Sequence, residues 1–270
     1  MDREGLEARA AAGTGESSVR PWRRYRVGPV VVDAIRRSEL VDALVAASSG
    51  GEGRSAAYVN AHVFELLHSD RELAAATETM DMVFCDGVGA LLGFRALGAV
   101  VPERMTPPDF IDEVLRDLRD RGGTVFLLGD ETDVVAKMSE VLEDRWPGIV
   151  AGVHHGFFPP SDLGSVAARV ASSRANLVLV AMGSPRQELT IVALRRAGLG
   201  ASLLAVGGLF RWYSGVETRG PRWATDHGFE WLFRLLVQPR RTARRYLFGL
   251  PRFGLRVVGL RLLGRYARVA

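Results

Sequence analysis

Short unbroken apolar runs alternate along this chain with longer segments whose apolar residues recur every three or four positions. The runs lie over 30–32, 56–60, 82–85, 124–128, 149–153, 177–182 and 202–206. Each has strand length, and apolar residues at successive positions predict strands covered on both faces. The intervening stripes predict helices. Leu40, Val41, Leu44 and Val45 follow an expected N-cap at Ser38, and helical segments are expected over 62–67, 71–77 and 88–97. Phe110, Ile111, Val114, Leu115 and Leu118 share one helical face that ends at Gly122-Gly123. Val134, Val135, Met138, Val141 and Leu142 form another stripe, and helices over 162–173 and 186–197 complete the alternation. The result is an α/β expectation: a mostly parallel, Rossmann-like sheet with helices on both faces.

From about Gly215 the pattern changes. Strand signals stop, and helices are expected over 221–226, 229–237 and 240–248 with a further segment to the end, Pro239 parting the second from the third. Residues 1–20 are rich in Ala, Gly, Ser and charge, lack core-forming residues, and are expected to be disordered. The expected organisation is therefore a tail over 1–20, an α/β core over 21–215 and a C-terminal helical, membrane-facing appendage over 216–270. Composition agrees: 270 residues, 47% hydrophobic and 24% charged, suit one globular domain of about 200 residues with appendages. The single cysteine, Cys85, excludes an internal disulfide and a cysteine-rich zinc site. Neither an apolar run of about 18 residues nor a signal-peptide pattern occurs, so a cytoplasmic protein is expected.

The net charge of +4 conceals an asymmetry. No acidic residue follows Glu230, whereas ten arginines do. Such a tail implies an anionic partner: lipid headgroups, phosphates or nucleic acid. On a helix Arg240, Arg241, Arg244 and Arg245 would share an arc of about 140°. The interleaved Leu247, Phe248, Leu250 and Phe253 favour a membrane surface over nucleic acid. Beyond Arg252 the arginines do not share one face, so no clean amphipathic helix is expected there.

Candidate chemistry collects after the strands. Asp86-Gly87 follows the run 82–85 at a strand's C-terminal end, where α/β sheets bind ligands. Glu103-Arg104 stands before Thr106-Pro107-Pro108-Asp109, a loop opening another helix. From these residues alone, Asp86 as a helix cap and Arg104 as a solvated charge fit equally well. Gly129-Asp130-Glu131-Thr132 suits a ribose or base contact, or an ordinary βα turn. Gly183-Ser184-Pro185-Arg186-Gln187-Glu188 and Val206-Gly207-Gly208 supply two more turns, the glycines at Gly207 and Gly208 permitting close approach of a ligand. His154 and His155, if held in a strand, point to opposite faces and cannot chelate one ion. Cys85 reads as a small buried hydrophobe. No GxGxxG, Walker, HExxH or DxD pattern occurs. That weakens a nicotinamide-dependent oxidoreductase, the second enzyme reading, and leaves a non-enzymatic basic module binding membrane or nucleic acid as a third.

The joint order of motifs is more specific than any one of them. Asn60, Cys85-Asp86-Gly87, Glu103-Arg104, the 183–188 turn and Val206-Gly207-Gly208 are followed by Arg219-Gly220-Pro221, Gly228-Phe229-Glu230-Trp231, Gln238-Pro239-Arg240 and Arg244-Arg245-Tyr246. Over about 30–253 the chain resembles the WecG/TagA/CpsF glycosyltransferases, glycosyltransferase family 26. The resemblance implies inverting, metal-independent transfer of an N-acetylhexosamine, usually N-acetylmannosamine. The donor would be a UDP-sugar and the acceptor a polyprenyl-diphosphate-linked sugar, in cell-surface polysaccharide synthesis on the inner face of the cell membrane. It implies Asp86 as catalytic base, with Asn60, Arg104 and Gln187 around the substrates. Arg240 and Arg244 would reach the diphosphate when the appendage closes over the site. It implies no cofactor, no bound metal and no nucleic-acid partner; a homo-oligomer is left open. Residues that depart from the family pattern, Tyr58, Pro107, Thr190 and Arg211, surround the pocket and so bear on sugar identity more than on reaction class. The chemistry is consistent: glycosyl transfer to an alcohol needs a base for the hydroxyl proton and cations for the leaving diphosphate, and arginine forks suit phosphate oxygens.

Overall fold

The computed structural model describes residues 21–218, 220, 230–237 and 244–270. The expected tail over 1–20, the helix over 221–226 and Arg240 lie outside the described residues. In chain order the elements are β1 (Arg24–Val27), β2 (Val30–Asp33), α1 (Arg37–Val45), β3 (Ser55–Val59), α2 (Ala61–Ser69), α3 (Arg71–Glu78) and β4 (Met82–Cys85). Then come α4 (Val88–Ala96), α5 (Pro107–Asp120), β5 (Val125–Gly129), α6 (Thr132–Arg145), β6 (Val150–His154), α7 (Leu163–Ser173), β7 (Leu177–Ala181) and α8 (Arg186–Arg196). The described chain closes with β8 (Ser202–Ala205), α9 (Leu209–Tyr213), α10 (Glu230–Val237), a π-helical turn over Arg244–Gly249, α11 (Leu250–Leu262) and β9 (Arg268–Val269).

Six strands form one all-parallel sheet in the order β4-β3-β8-β7-β5-β6. The unbroken apolar runs are explained by two cores, one on each side. Val83, Cys85, Val178, Val180, Leu203 and Ala205 face a layer built by α2, α3, α4, α7, α8 and α11. Met82, Phe84, Leu177, Leu179, Leu204 and Val206 face a layer built by α1, α5, α6 and α9. Alternate residues of one strand thus bury into different cores, so no position in the run tolerates charge.

The fold adds two things the periodicity did not show. A second, antiparallel sheet of order β2-β1-β9 stands beside the first. The sequence Arg24-Tyr25-Arg26-Val27 hid β1, because two of its four residues are arginines. Arg24 is nonetheless buried, its guanidinium forked onto Asp33 at 2.8 and 2.7 Å and donating also to the carbonyls of Met80 and Asp81. The expectation that strands end near 215 is corrected by β9, which pairs Val269 with Tyr25 and Arg268 with Arg26. A two-residue strand carries no periodicity, so only its partner reveals it. Helix α1 begins one residue before the expected cap at Ser38: Glu39 accepts from the Arg36 amide at 2.7 Å, which fixes the first turn instead.

Candidate active site

Adjacent parallel strands whose following helices go to opposite faces leave a crevice at their C-terminal edge. Strands β3 and β8 meet that condition, since α2 packs into one core and α9 into the other. Asn60 stands on one side of the crevice and Gly207 on the other, with Asp86 one strand further out.

Asn60 is the N-cap of α2, with an extended backbone (φ −113°, ψ 179°). Its Oδ1 accepts from the amides of His62 at 3.1 Å and Val63 at 3.0 Å. That assignment decides the other end of the side chain: with the oxygen consumed by the cap, the NH2 group points away and donates to Asp86 Oδ2 at 3.0 Å. One residue therefore starts a helix and orients a carboxylate. Asp86 is held from behind by its own amide, which donates to the Val59 carbonyl at 3.0 Å. The chain then turns at Gly87, whose φ of +87° is open to glycine and strained for other residues. The Met105 amide donates to the Cys85 carbonyl at 2.7 Å, which brings the Arg104 loop beside the end of β4. The Arg104 guanidinium meets Asp109 at 3.1 Å, and Thr106 Oγ1 donates to the same carboxylate at 2.7 Å.

A second constellation rises from β7 and β8. Gln187 is fully buried, and its Oε1 accepts from the Gly207 amide at 3.0 Å. Its Nε2 donates to Glu188 Oε1 at 2.8 Å, and Ser184 Oγ donates to that oxygen at 2.7 Å. Glu188 is 1% exposed, and its Oε2 has no hydrogen-bond partner among the described residues. Burial pushes its carboxyl up, opposed by the hydrogen bonds from Gln187 and Ser184. The relay Glu188–Gln187–Gly207 fixes the turn at the crevice. Gly207 has φ +55°, and a side chain there would run into the Tyr58 hydroxyl, so Tyr58 fills the space against the turn. Gly208 follows as the N-cap of α9.

The far end of the edge is ionic. Asp130, at φ +54°, accepts from Arg211 Nη2 at 2.7 Å, and Arg211 also meets Glu131 at 2.7 Å. The acidic turn noted in the sequence is thus partnered by one of the departing residues, which single-residue reading left without a role. Arg186 fastens the loop after β6 by donating to the Gly156 carbonyl at 2.7 Å. His154 and His155 do not point to opposite faces: their rings stack at 4.7 Å, because β6 ends at His154 and the chain turns there. The His155 carbonyl accepts from His154 Nδ1 at 2.7 Å. Cys85 is fully buried, and burial pushes its thiol up, which leaves it protonated and inert.

Asn60, Asp86, Gln187, Gly207 and Gly208 are thus brought to one edge, with Arg104 at its border. The Arg244 backbone opens the π-helical turn, while its side chain and all of Arg240 lie outside the described residues. A family model described as the glycosyl transferase WecG/TagA/CpsF family matches residues 25–267. The chain belongs to that family. It is a glycosyltransferase of cell-surface polysaccharide synthesis. The match runs through α11 and ends at residue 267, just before β9, so the family pattern includes β2, all but the first residue of β1, and α11 as well as the crevice.

Proposed function

We propose that this glycosyltransferase moves an N-acetylhexosamine, N-acetylmannosamine before others, from a UDP-sugar to a polyprenyl-diphosphate-linked sugar, with inversion and without a metal. The observation that carries the reading is the Asn60–Asp86 hydrogen bond at the crevice. Asp86 takes the proton of the acceptor hydroxyl as that oxygen bonds to the anomeric carbon. The bond from the anomeric carbon to the diphosphate breaks, and UDP leaves with the electron pair. Asn60 keeps the carboxylate turned to accept. The Gly207-Gly208 turn, braced by Gln187, lets the donor approach the backbone closely. Arg104, Arg240 and Arg244 supply the positive charge that a divalent ion supplies elsewhere. Asp130 and Glu131 suit the ribose end. The deciding experiment assays a panel of UDP-sugars against a short-chain lipid-diphosphate N-acetylglucosamine with EDTA present. Turnover with UDP-N-acetylmannosamine is expected to survive chelation; activity that needs an added divalent ion would overturn the metal-free assignment.

The acceptor's lipid calls for a membrane-facing surface on the inner leaflet, and α11 has the features of one. No helix among the described residues is long and apolar enough to cross a membrane. The outward face of α11 nevertheless carries Leu255, Val258 and Leu262, all exposed, Leu262 at 83%. Phe248 is exposed just before it. The arginines of α11 are tied down along its flanks: Arg252 and Arg256 meet Glu65, and Arg261 donates to the Ala96 carbonyl. What remains outward is apolar with basic flanks, which favours an anionic lipid surface over nucleic acid. Burying a leucine contributes about 1.5–3 kcal/mol. The double substitution Leu255→Glu with Leu262→Glu is therefore expected to weaken binding to phosphatidylglycerol vesicles roughly 100-fold or more. Turnover on a water-soluble acceptor is expected to remain. Unchanged sedimentation with vesicles would remove α11 from the docking surface.

A further inference from the structure

Glu65 is placed where a carboxylate is costly. It lies on α2 among Ala61, Val63, Phe64 and Leu67, all buried, with only 10% of its own side chain exposed. Two arginines of α11 converge on it. Arg256 forks onto both oxygens, Nε to Oε1 at 2.7 Å and Nη2 to Oε2 at 3.0 Å, while Arg252 Nε reaches Oε2 at 2.8 Å. A bidentate fork fixes angle as well as distance, so it sets the rotation of α11 about its axis. Between the two arginines Phe253 enters a socket. Its ring stands edge-on to Phe64, with centroids 5.1 Å apart and planes at 88°. Its tip occupies the space a Cβ on Gly93 would need, 2.5 Å from Phe253 Cζ. Gly93 belongs to α4. Further along, Arg261 donates to the Ala96 carbonyl at 3.0 Å, and the Ala267 amide to the Leu97 carbonyl at 2.8 Å.

Helix α11 therefore bridges α2 and α4 and touches both. These are the two helices whose N-termini carry the hydrogen-bonded Asn60–Asp86 pair: Asn60 caps α2, and Asp86 stands two residues before α4. A cover for apolar surface needs Phe253 and Val257; it does not need a nearly buried carboxylate gripped by two cations, since such a group is held only at a desolvation cost. We infer that Glu65 is a positioning residue for the Asn60–Asp86 pair. By clamping α11 it fixes α2 against α4, and so fixes the hydrogen bond between the residues at their ends. The inference rests on the reading of Asp86 as base. It also ties the lipid-facing helix to the chemistry, because the same helix carries Leu255 and Leu262 outward.

The test uses the full chain with Glu65→Gln, Glu65→Asp and Arg256→Gln. Two readouts are taken: steady-state kinetics with UDP-N-acetylmannosamine and a soluble lipid-diphosphate acceptor, and hydrogen exchange at the amides of His62 and Val63, which donate to Asn60 Oδ1. Glu65→Gln is expected to lower kcat about 10-fold, short of the roughly 100-fold that a 1 Å misplacement can cost. The donor KM should hold, exchange at His62 and Val63 should quicken, and Glu65→Asp should recover part of both losses. Should Glu65→Gln fail to fold, Arg256→Gln, altered at a partly exposed residue, decides by the same two measures. Unchanged kcat with unchanged exchange at His62 and Val63, while exchange across 250–262 quickens, would overturn the proposal and leave α11 a cover. The exchange measurement does not depend on what Asp86 does. Normal turnover of an Asp86 variant would therefore sink the base assignment without altering this result.

Discussion

Asp86→Asn is expected to fold as the parent does and to lose about 10²–10⁴-fold in kcat, the range that positioned general bases contribute. The substitution changes little but the chemistry. Asparagine has the shape of aspartate, and the backbone bond from residue 86 to the Val59 carbonyl does not involve the side chain. The Asn60 NH2 group, fixed outward by the α2 cap, still meets an oxygen if the new amide turns its carbonyl toward it. What is lost is the basic lone pair at the crevice. In the proposed arrangement the donor is held elsewhere on the edge, so its KM is expected to move little while kcat falls, the signature of an interaction made in the transition state. Thermal melting should place the variant within a few degrees of the parent. Near-normal turnover in a folded variant would return Asp86 to the role of a residue that merely precedes a helix.

The parallel sheet was legible because its strands are covered on both sides, and double burial writes itself as consecutive apolar residues. Val178 and Leu179 point into different cores, yet the run that contains them carries no polar interruption. The crevice was legible for a related reason: the residues at strand ends, Asn60, Asp86 and Gly207, follow those runs directly. What the sequence concealed is side-chain partnership across long separations. Glu65 and Arg256 are 191 positions apart, and nothing local marks either as half of a pair. Arg24 looked like surface until Asp33 gave it a reason to be buried. Glu188 is adjacent to a residue singled out from sequence, but its own burial follows from how α8 packs, and periodicity does not show that. The same limit explains β9, whose two residues become a strand only because β1 offers an edge. Family resemblance implied roles for Asn60, Arg104 and Gln187; the α2 cap adds a physical reason for the Asn60 NH2 group to face Asp86.

Asp33→Asn is expected to cost about 3–5 kcal/mol of stability, the range found when one partner of a buried ion pair is removed. Asp33 is 1% exposed and Arg24 4%, so the guanidinium has no water to turn to. The aspartate also does a second task. Strand β4 is the edge of the large sheet, and its outward Val83 amide is met by Asp33 Oδ2 at 2.7 Å instead of by another strand. An asparagine cannot replace both oxygens: with its oxygen in the place of Oδ2 it still accepts from Val83 N–H and Arg24 Nη2, but its NH2 group then faces Arg24 Nε, itself a donor, and turned over it faces the other two. For a domain of this size about 2–4 °C of melting temperature goes with each kcal/mol, so a fall of about 6–20 °C is expected by circular dichroism. The paired change Arg24→Met with Asp33→Leu should recover only the part due to the stranded charge, because the Val83 N–H still loses its acceptor. Strand β4 ends at Cys85, immediately before Asp86, so turnover of the single variant is expected to fall at temperatures below its own transition, as the strand loses its outer restraint. A melting temperature within about 1 °C of the parent would show that water satisfies Val83 and Arg24 in the variant. The small sheet would then be an ornament on the large one and no part of what holds the acid in place.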